Sequence, residues 1–434
     1  MREATANTSS IQQEIVQNYR WNFLVNSLDG ASFWFGMSFI SSTIILPLYV
    51  SHFTSSPLLI GLIPFLSTAG YLVPQLFTSN AVERAPMKKF FPVTIGFVLE
   101  RIPIFLLAPT AYFLATSQPS LALIAFFVLY AWHTIGAGMI IVGWQDMIAK
   151  IIPVEKRGRF FGITNFLGNG AGILGALAVP FILARYTFPL GYVISFALAA
   201  ALIFLSWVFL SLTREPAVQS NKPTVSQLDY LRSLPEVLRQ NRNFRMYLLS
   251  QIVFYLSGMA IGFLAVYAVQ TWHMSDATAG GFTLALQIGL ALGNLFFGLL
   301  ADRKGHKLSL EISMTLSILS LILAIFAPSP WWFFPIFFLR GAVNGGTFVS
   351  GISIVYEFAD AENRATFIGL ANTLPGVAGA LAPLLGGLLV GVMSYRAMFI
   401  LAMIIGVFSW ILLRFAVREP RQMNPSASQD LSLT

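Results

Sequence analysis

Most charge falls in gaps between long apolar stretches, and this alternation restricts the fold more than any other feature of the sequence. Across 434 residues about twelve apolar runs recur, near 27–51, 58–81, 90–115, 120–149, 160–184, 188–212, 245–270, 278–301, 309–328, 331–356, 365–390 and 394–416. A hydrocarbon core about 30 Å thick takes roughly 20 helical residues at about 1.5 Å each. The runs have that length. They are separated by turn chemistry such as Ser55-Ser56-Pro57, Ala85-Pro86, Gln118-Pro119 and Pro328-Ser329-Pro330. Membrane-spanning strands would be about ten residues long with alternating polarity; nothing here has that rhythm. The expected fold is therefore an all-α membrane protein of twelve transmembrane helices.

Composition narrows the function. Only 10% of the residues are charged and 56% are hydrophobic, against about 25% charged in soluble domains. An ordinary soluble enzyme and a disordered chain are both excluded. With no cysteine, disulfides, thiolate metal sites, iron–sulfur clusters and cysteine nucleophiles drop out. There is no Gly-Lys-Ser/Thr phosphate loop and no His-Glu-x-x-His, so neither ATP hydrolysis nor zinc chemistry is expected. Gly170-Ala171-Gly172-Ile173-Leu174-Gly175 fits a dinucleotide pattern on paper, but it follows no strand and lies inside an apolar run, where it reads as close helix packing. Gly168 with Gly172, and Gly289 with Gly293, read the same way.

The net charge of +8 has a topological cause. With the N-terminus inside, 22 of the 26 Lys and Arg residues fall in inner segments, Arg185 and Arg396 in outer ones, and Arg101 and Arg340 within spans. Such a bias puts both termini in the cytoplasm and needs no nucleic acid to explain it. The first twenty-odd residues are polar and read as no cleavable leader. The chain then divides into a cytoplasmic N-terminal segment (1–26), a six-helix bundle (27–212), a cytoplasmic linker (213–244), a second six-helix bundle (245–417) and a cytoplasmic tail (418–434). Leu228, Leu231, Leu234 and Leu238 of the linker recur at helical spacing opposite charged residues, as in a helix lying on the membrane surface.

The two halves repeat each other. Glu83-Arg84 with Pro86 and Lys88 aligns with Asp302-Arg303, Gly305 and Lys307; Arg157-Gly158-Arg159-Phe160-Phe161-Gly162 aligns with Arg364-Ala365-Thr366-Phe367-Ile368-Gly369; His133 aligns with Arg340. Two pseudo-symmetric sets of six helices are the sequence form of a transporter whose halves rock about a shared site. Gly298-Leu299-Leu300-Ala301-Asp302-Arg303-Lys304-Gly305-His306-Lys307 resembles the signature loop of the major facilitator superfamily, between the second and third helix of a half. The first-half copy departs from the pattern, with Ser79 for Gly, Glu83 for Asp and Pro86 for Gly. Arg340-Gly341-Ala342-Val343-Asn344-Gly345-Gly346 resembles the family's Arg-then-Gly pattern more loosely. Ala382-Pro383-Leu384-Leu385-Gly386-Gly387 is similar to the Gly-Pro motif of proton-driven exporters, here in the eleventh span instead of the fifth. The resemblance implies that Gly298, Asp302, Arg303 and Gly305, with Glu83, Arg84, Arg157 and Arg364, govern the conformational equilibrium; the alternative is that the charged ones only anchor topology.

Charges inside the spans need a reason, since one at mid-bilayer costs roughly 2.5–3.5 kcal/mol. The family implies that the fourth and tenth helices line the cavity, which makes His133, Arg340 and Asn344 candidates for a substrate or proton site. His133 reads either as a proton carrier or as a neutral imidazole bonded to a helix backbone or to Tyr130. Arg340 reads as an anion-binding point or a fixed countercharge. Glu100 and Arg101 point about 100° apart on one helix and need not pair with each other; Glu100 reads as a protonatable carboxyl or as part of a buried pairing across to the second or fourth helix. Asp29 is a proton carrier or a solvated capping acid. Phe33, Phe35, Gln251, Tyr255 and Gln287 are candidates for lining a cavity.

The expected function is secondary active transport of a small molecule by alternating access, as proton-coupled export of amphiphilic or aromatic compounds. Uptake of an organic anion is the alternative, and an uncoupled receptor or lipid-scrambling scaffold is the reading from another class. No enzymatic activity, cofactor or metal is expected. The expected partners are a substrate molecule, the proton and the lipid bilayer, with the chain a monomer in the cell membrane.

Overall fold

The computed structural model describes residues 2–217, 238–239, 241–358 and 364–420, and they are helical throughout with no strand among them. The surface helix expected on Leu228, Leu231 and Leu234 lies outside the described residues. Helices occupy all twelve expected places. They are α1 (Arg2–Ser38), α2 (Ile45–Ser51), α3 (Pro57–Leu72), α4 (Gln75–Arg84), α5 (Ile102–Leu114), α6 (Pro119–Ile151), α7 (Val154–Arg185), α8 (Leu190–Ser211), α9 (Arg242–Ser257), α10 (Leu264–Trp272), α11 (Asp276–Lys304), α12 (His306–Phe326), α13 (Phe333–Phe358), α14 (Arg364–Val392) and α15 (Tyr395–Ile411). Nine stretches among the described residues are long and apolar enough to cross a bilayer. Large hydrophobic residues such as Phe77, Phe166, Phe181, Phe326 and Phe415 are exposed.

The expected spans are not all single helices. The first starts far ahead of its apolar run, at Arg2, and breaks between Ser38 and Ile45 before resuming as α2. The second breaks at Val73-Pro74, where proline has no N–H to continue the ladder. The seventh carries a six-residue 3₁₀ segment, Gly258–Phe263, between α9 and α10. The third opens with two π-helical turns, Phe91–Ile95 and Phe97–Arg101, before α5. A π turn is a rare local widening of a helix, and this pair sits just where the buried charges are.

The chain forms two compact units, one of Met1–Ser41 with Leu66–Thr224 and the other of Ser42–Phe65 with Val225–Thr434. The tip of the first helical hairpin thus packs within the second unit, although its sequence belongs to the stretch 27–212. In the first unit α1 is the hub. Thr164 of α7 fills the space beside Gly30, Trp34 lies against Gly168, and the Ser38 hydroxyl occupies the space beside Gly175. Ile203 and Ala199 of α8 close on Gly36 from the other side.

Glycine sets the closest approaches in both units. A methyl group on Gly138 of α6 would strike the Gly70 carbonyl, and one on Gly136 the Leu99 carbonyl. In the second unit Gly341 and Gly345 of α13 meet the α11 backbone at Leu286, Leu290 and Gly293, while Gly289 meets the Phe338 carbonyl. Backbone against backbone is how membrane helices gain packing energy where burial alone gives none. Gly341→Ala is therefore expected to lower unfolding stability by about 1–3 kcal/mol, as overpacking does. Gly351→Ala, where only Thr347 Cγ2 lies within 4 Å at 3.9 Å, should shift it by no more than about 0.5 kcal/mol. Thermal unfolding of the two purified variants in one detergent checks the contrast.

Candidate functional site

Four of the singled-out residues meet in one buried place within the first unit. Glu100 and Arg101 are each 3% exposed, His133 4% and Asp29 5%. Arg101 Nη1 donates to Glu100 Oε2, so the adjacent residues pair with each other. Both residues lie in the Phe97–Arg101 π turn. That wider turn rotates successive side chains by less than the α-helical step, which lets neighbours converge. The guanidinium also needs room. Its Nη1 lies 2.8 Å from where a Cβ on Gly96 would be.

His133 comes to this pair from α6, with Nδ1 2.9 Å from the Glu100 carbonyl oxygen. A carbonyl only accepts, so Nδ1 carries the hydrogen and Nε2 is the nitrogen that can take up a further proton. The ring also stands 6.3 Å from that of Tyr130. Asp29 enters from α1, accepts a 2.6 Å hydrogen bond from Ser206 Oγ of α8, and lies within electrostatic reach of both Arg101 and Glu100. The structure therefore brings together two acids, an imidazole and a fixed cation from three spans.

The candidates in the second unit are arranged differently. Arg340 is 5% exposed, and its Nη1 donates to Ser317 Oγ of α12 at 2.6 Å. Its Nε has no hydrogen-bond partner, and among the described residues no carboxylate lies within ion-pair distance of it. His133 and Arg340, equivalent in the repeat, thus each bond to the neighbouring span of their own unit. Asn344 is exposed. Gln251 is buried with its Nε2 unpartnered, Tyr255 is exposed with its ring against Gly379, and Gln287 is half-buried. Phe33 and Phe35 of α1 are half-buried, while the intervening Trp34 is exposed. The exporter-like motif is a packing corner: Gly61 abuts the Pro383 carbonyl, Gly386 the Met259 carbonyl and Gly387 the Pro57 carbonyl.

At the helix ends that carry the basic residues, each unit has a carboxylate clamp. Glu215, just beyond α8, accepts from the backbone N–H groups of Lys88 at 2.9 Å and Lys89 at 2.7 Å, and from Lys150 Nζ at 2.7 Å. Lys89 Nζ returns the favour, donating to the carbonyls of Ser211 and Thr213 at 2.6 and 2.7 Å. Burial presses the Lys89 ammonium below its ordinary pKa, and Glu215 opposes that shift. In the second unit Glu419 accepts from the Lys307 N–H at 3.3 Å, and Lys307 Nζ donates to the Arg414 carbonyl at 3.1 Å. Gly305 of the signature loop has φ +92°, and a Cβ there would meet the Glu419 carboxylate at 2.6 Å. The positive φ requires glycine, and a side chain there would also displace the carboxylate. Arg84 and Arg303 are exposed, and nothing lies within 4 Å of a Cβ on Gly298. The side chains of Glu83, Arg157, Asp302 and Arg364 lie outside the described residues.

A profile of the Major Facilitator Superfamily matches residues 28–249 and 246–433, together nearly the whole chain. The chain belongs to the Major Facilitator Superfamily. It is a membrane transporter by family, not an enzyme. The fold is shared with the nucleoside transporter NupG, crystallised as a point mutant, at a TM-score of 0.68 and 14% identity over 92% of this chain and 100% of that one. A D-xylose–proton symporter gives 0.67 and 16% identity over 92% and 98%. Among curated relatives, the niacin transporter NiaP of Acinetobacter baylyi is 25% identical over 154 residues, 36% of this chain and 35% of the relative. The multidrug resistance protein MdtL of Salmonella typhi is 28% identical over 152 residues, 33% and 38% of the two chains. The matched stretches thus span little more than a third of these relatives.

For this member of the superfamily, the clamp glutamates are what reading the sequence missed. Their signal is present as a further repeat, Arg214-Glu215-Pro216 and Arg418-Glu419-Pro420, each just after the last span of a half. Each carboxylate caps N–H groups at the start of the third span of its half, where the helix dipole favours negative charge. The Glu215 side chain is 0% exposed. Removing one partner of a buried pair costs about 3–5 kcal/mol, so Glu215→Ala is expected to lose that much stability. Glu215→Asp should lose less, and denaturant unfolding in detergent measures the difference.

Proposed function

We propose that this transporter exports small amphiphilic or aromatic molecules in exchange for protons, and that the Asp29–Glu100–Arg101–His133 cluster holds the coupling proton. The observation that carries the reading is the convergence of three titratable side chains and one permanent cation in a buried place inside the first unit. Each costs free energy in hydrocarbon, and a proton pathway is the recurrent use of such groups. The multidrug resistance relatives support export, and the symporter of the same fold supports a proton partner. The positive bias of one set of loops supports cytoplasmic termini in the cell membrane, and the chain is taken to work as a monomer.

A second reading rests on Arg340. A buried guanidinium facing a serine and no carboxylate among the described residues suits an anionic substrate, and the niacin transporter among the relatives supports a small organic acid as that substrate. In that case Arg340→Gln abolishes uptake of the anion and leaves export of amphiphiles untouched.

The test uses sealed vesicles containing purified protein and an imposed pH gradient. Glu100→Gln keeps the shape of the side chain but removes its proton. It is expected to cut gradient-driven efflux at least about tenfold while sparing exchange of substrate for substrate without a gradient. Full gradient-driven efflux by both Glu100→Gln and Asp29→Asn would remove the cluster from the coupling step. His133→Ala is expected to flatten the pH dependence of flux, and an unaltered profile would exclude the imidazole.

The signature loops are assigned to conformational balance. Asp302→Asn is expected to shift the distribution between inward- and outward-open states, read by accessibility of single cysteines added at either helix end, with affinity within each state nearly unchanged. A pure loss of affinity would contradict that assignment.

A further inference from the structure

A recess of about 490 Å³ opens within the second unit, at the helix ends remote from the clamp of Glu419. Its walls come from three segments. Ser55 and Pro57 belong to the first hairpin, Tyr267, Gln270 and Thr271 to α10, Val390 to the end of α14, Met393 and Ser394 to the turn that follows, and Tyr395 and Arg396 to the start of α15. The size falls within the range of small-molecule sites, roughly 300–1,000 Å³.

The polar groups of this recess are aimed and only partly used. Arg396 Nε donates to the Tyr267 hydroxyl at 3.1 Å, which fixes the guanidinium plane. Its two terminal nitrogens have no acceptor among the described residues, and no carboxylate lies within ion-pair distance. Tyr395 donates from its hydroxyl to Gln270 Oε1 at 3.1 Å, which orients the Gln270 amide. Tyr267 and Tyr395 stand 5.5 Å apart between ring centroids, and Tyr267 is further held by Trp272, Phe333 and Phe399 at 5.7, 6.0 and 5.2 Å. These rings pack against one another as an aromatic wall, and Val390, Met393 and Pro57 add apolar surface.

The sequence makes the arginine stand out. Of 26 basic residues, Arg185 and Arg396 alone fall in the segments assigned to the outer face, where the insertion bias disfavours them. A solvent-exposed guanidinium, held at Nε by Tyr267 with its terminal N–H groups open to solvent beside two tyrosine rings, is the chemistry that recognises a carboxylate or phosphate joined to an apolar body.

We propose that this recess is a binding site for an anion carrying an aromatic or other apolar group, separate from the buried cluster of the first unit. Arg396 clamps the acid group through its terminal nitrogens, and Tyr267 and Tyr395 contact the body. An aromatic carboxylate from solution and an anionic lipid headgroup share this chemistry. In the topology proposed above the recess faces outward, but binding to it requires neither that topology nor proton coupling.

The experiment is a binding titration on purified full-length protein in detergent, where sidedness and transport do not enter. Benzoate is the soluble probe, followed by the fluorescence of Trp272 in a variant whose other tryptophans are Phe and confirmed by calorimetry. Saturable binding is expected, weakened about tenfold or more in Arg396→Gln and less than about threefold in Arg396→Lys, as the loss and retention of a charged donor require. Val390→Trp, which fills the recess without removing a charge, should abolish binding. Unchanged melting temperatures without ligand show that each variant is folded. A second arm compares phosphatidylcholine nanodiscs with and without phosphatidylglycerol. Arg396-dependent competition by phosphatidylglycerol against benzoate identifies a headgroup as an occupant, and its absence assigns the site to soluble acids. Lack of saturable benzoate binding in detergent together with no Arg396-dependent effect of phosphatidylglycerol overturns the proposal. So does binding that Arg396→Gln and Val390→Trp leave intact.

Discussion

In hydrocarbon a polar group must bring its own partner, and that single requirement orders most of what is seen in this chain. It forces the backbone into helices, whose ladders close within each segment. It also explains why the charges within the spans are not scattered. Glu100 and Arg101 neutralise each other, His133 rests on the Glu100 carbonyl, and Asp29 takes the Ser206 hydroxyl. The π turns at Phe91–Ile95 and Phe97–Arg101 are part of the same solution. Widening the helix lets adjacent side chains pair without help from another span.

Helix ends pose the same problem at the membrane surface, and here the two units solve it alike. The start of the third span in each half is capped by a glutamate from just beyond the sixth, and a lysine from the third covers carbonyls at the end of the sixth. First and last spans are tied too. Asn22 of α1 donates to the Arg214 carbonyl at 2.8 Å and accepts from its N–H at 2.9 Å, while Trp21 donates to the Leu212 carbonyl. These bonds leave few orphan groups at the ends that would move if the spans rocked as rods. The glycine of the signature loop then has a local meaning. It turns the chain at positive φ and leaves room for a carboxylate arriving from the far end of its own half.

Much of this was legible beforehand, because hydrophobic length and charge placement are local properties. The twelve helical places followed from them, the repeat from aligned motifs, and the family from the resemblance of the Gly298–Lys307 loop to its signature. What escaped depended on backbone detail. Glu100 pairs with Arg101 inside a π turn, which an assumption of about 100° per residue cannot show. The break between Ser38 and Ile45, and the membership of Ser42–Phe65 in the second unit, depend on packing between segments distant in sequence. The Arg-Glu-Pro repeat is a different matter: its letters were present, but a charged triplet in a basic loop looks like an anchor until its carboxylate is seen buried. His133 and Arg340 illustrate the limit of symmetry. Their alignment pairs them in the repeat, yet the partners differ: His133 bonds to a backbone carbonyl and Arg340 to a serine hydroxyl, each within its own unit.

Charge balance carries the comparison of the two units one step further. With Glu100 and Arg101 cancelling, an ionised Asp29 leaves the buried cluster of the first unit with one net negative charge while His133 is neutral. Taking up one proton, on Asp29 or on His133 Nε2, makes the cluster neutral; releasing it restores the charge. Arg340 offers no such cycle, because a guanidinium does not give up its proton under ordinary conditions and no acid faces it among the described residues. In the proposed reading the division of labour follows directly. The unit whose buried charge can be switched suits the coupling ion, and the unit whose buried charge is permanent suits a substrate whose own charge or dipole completes it.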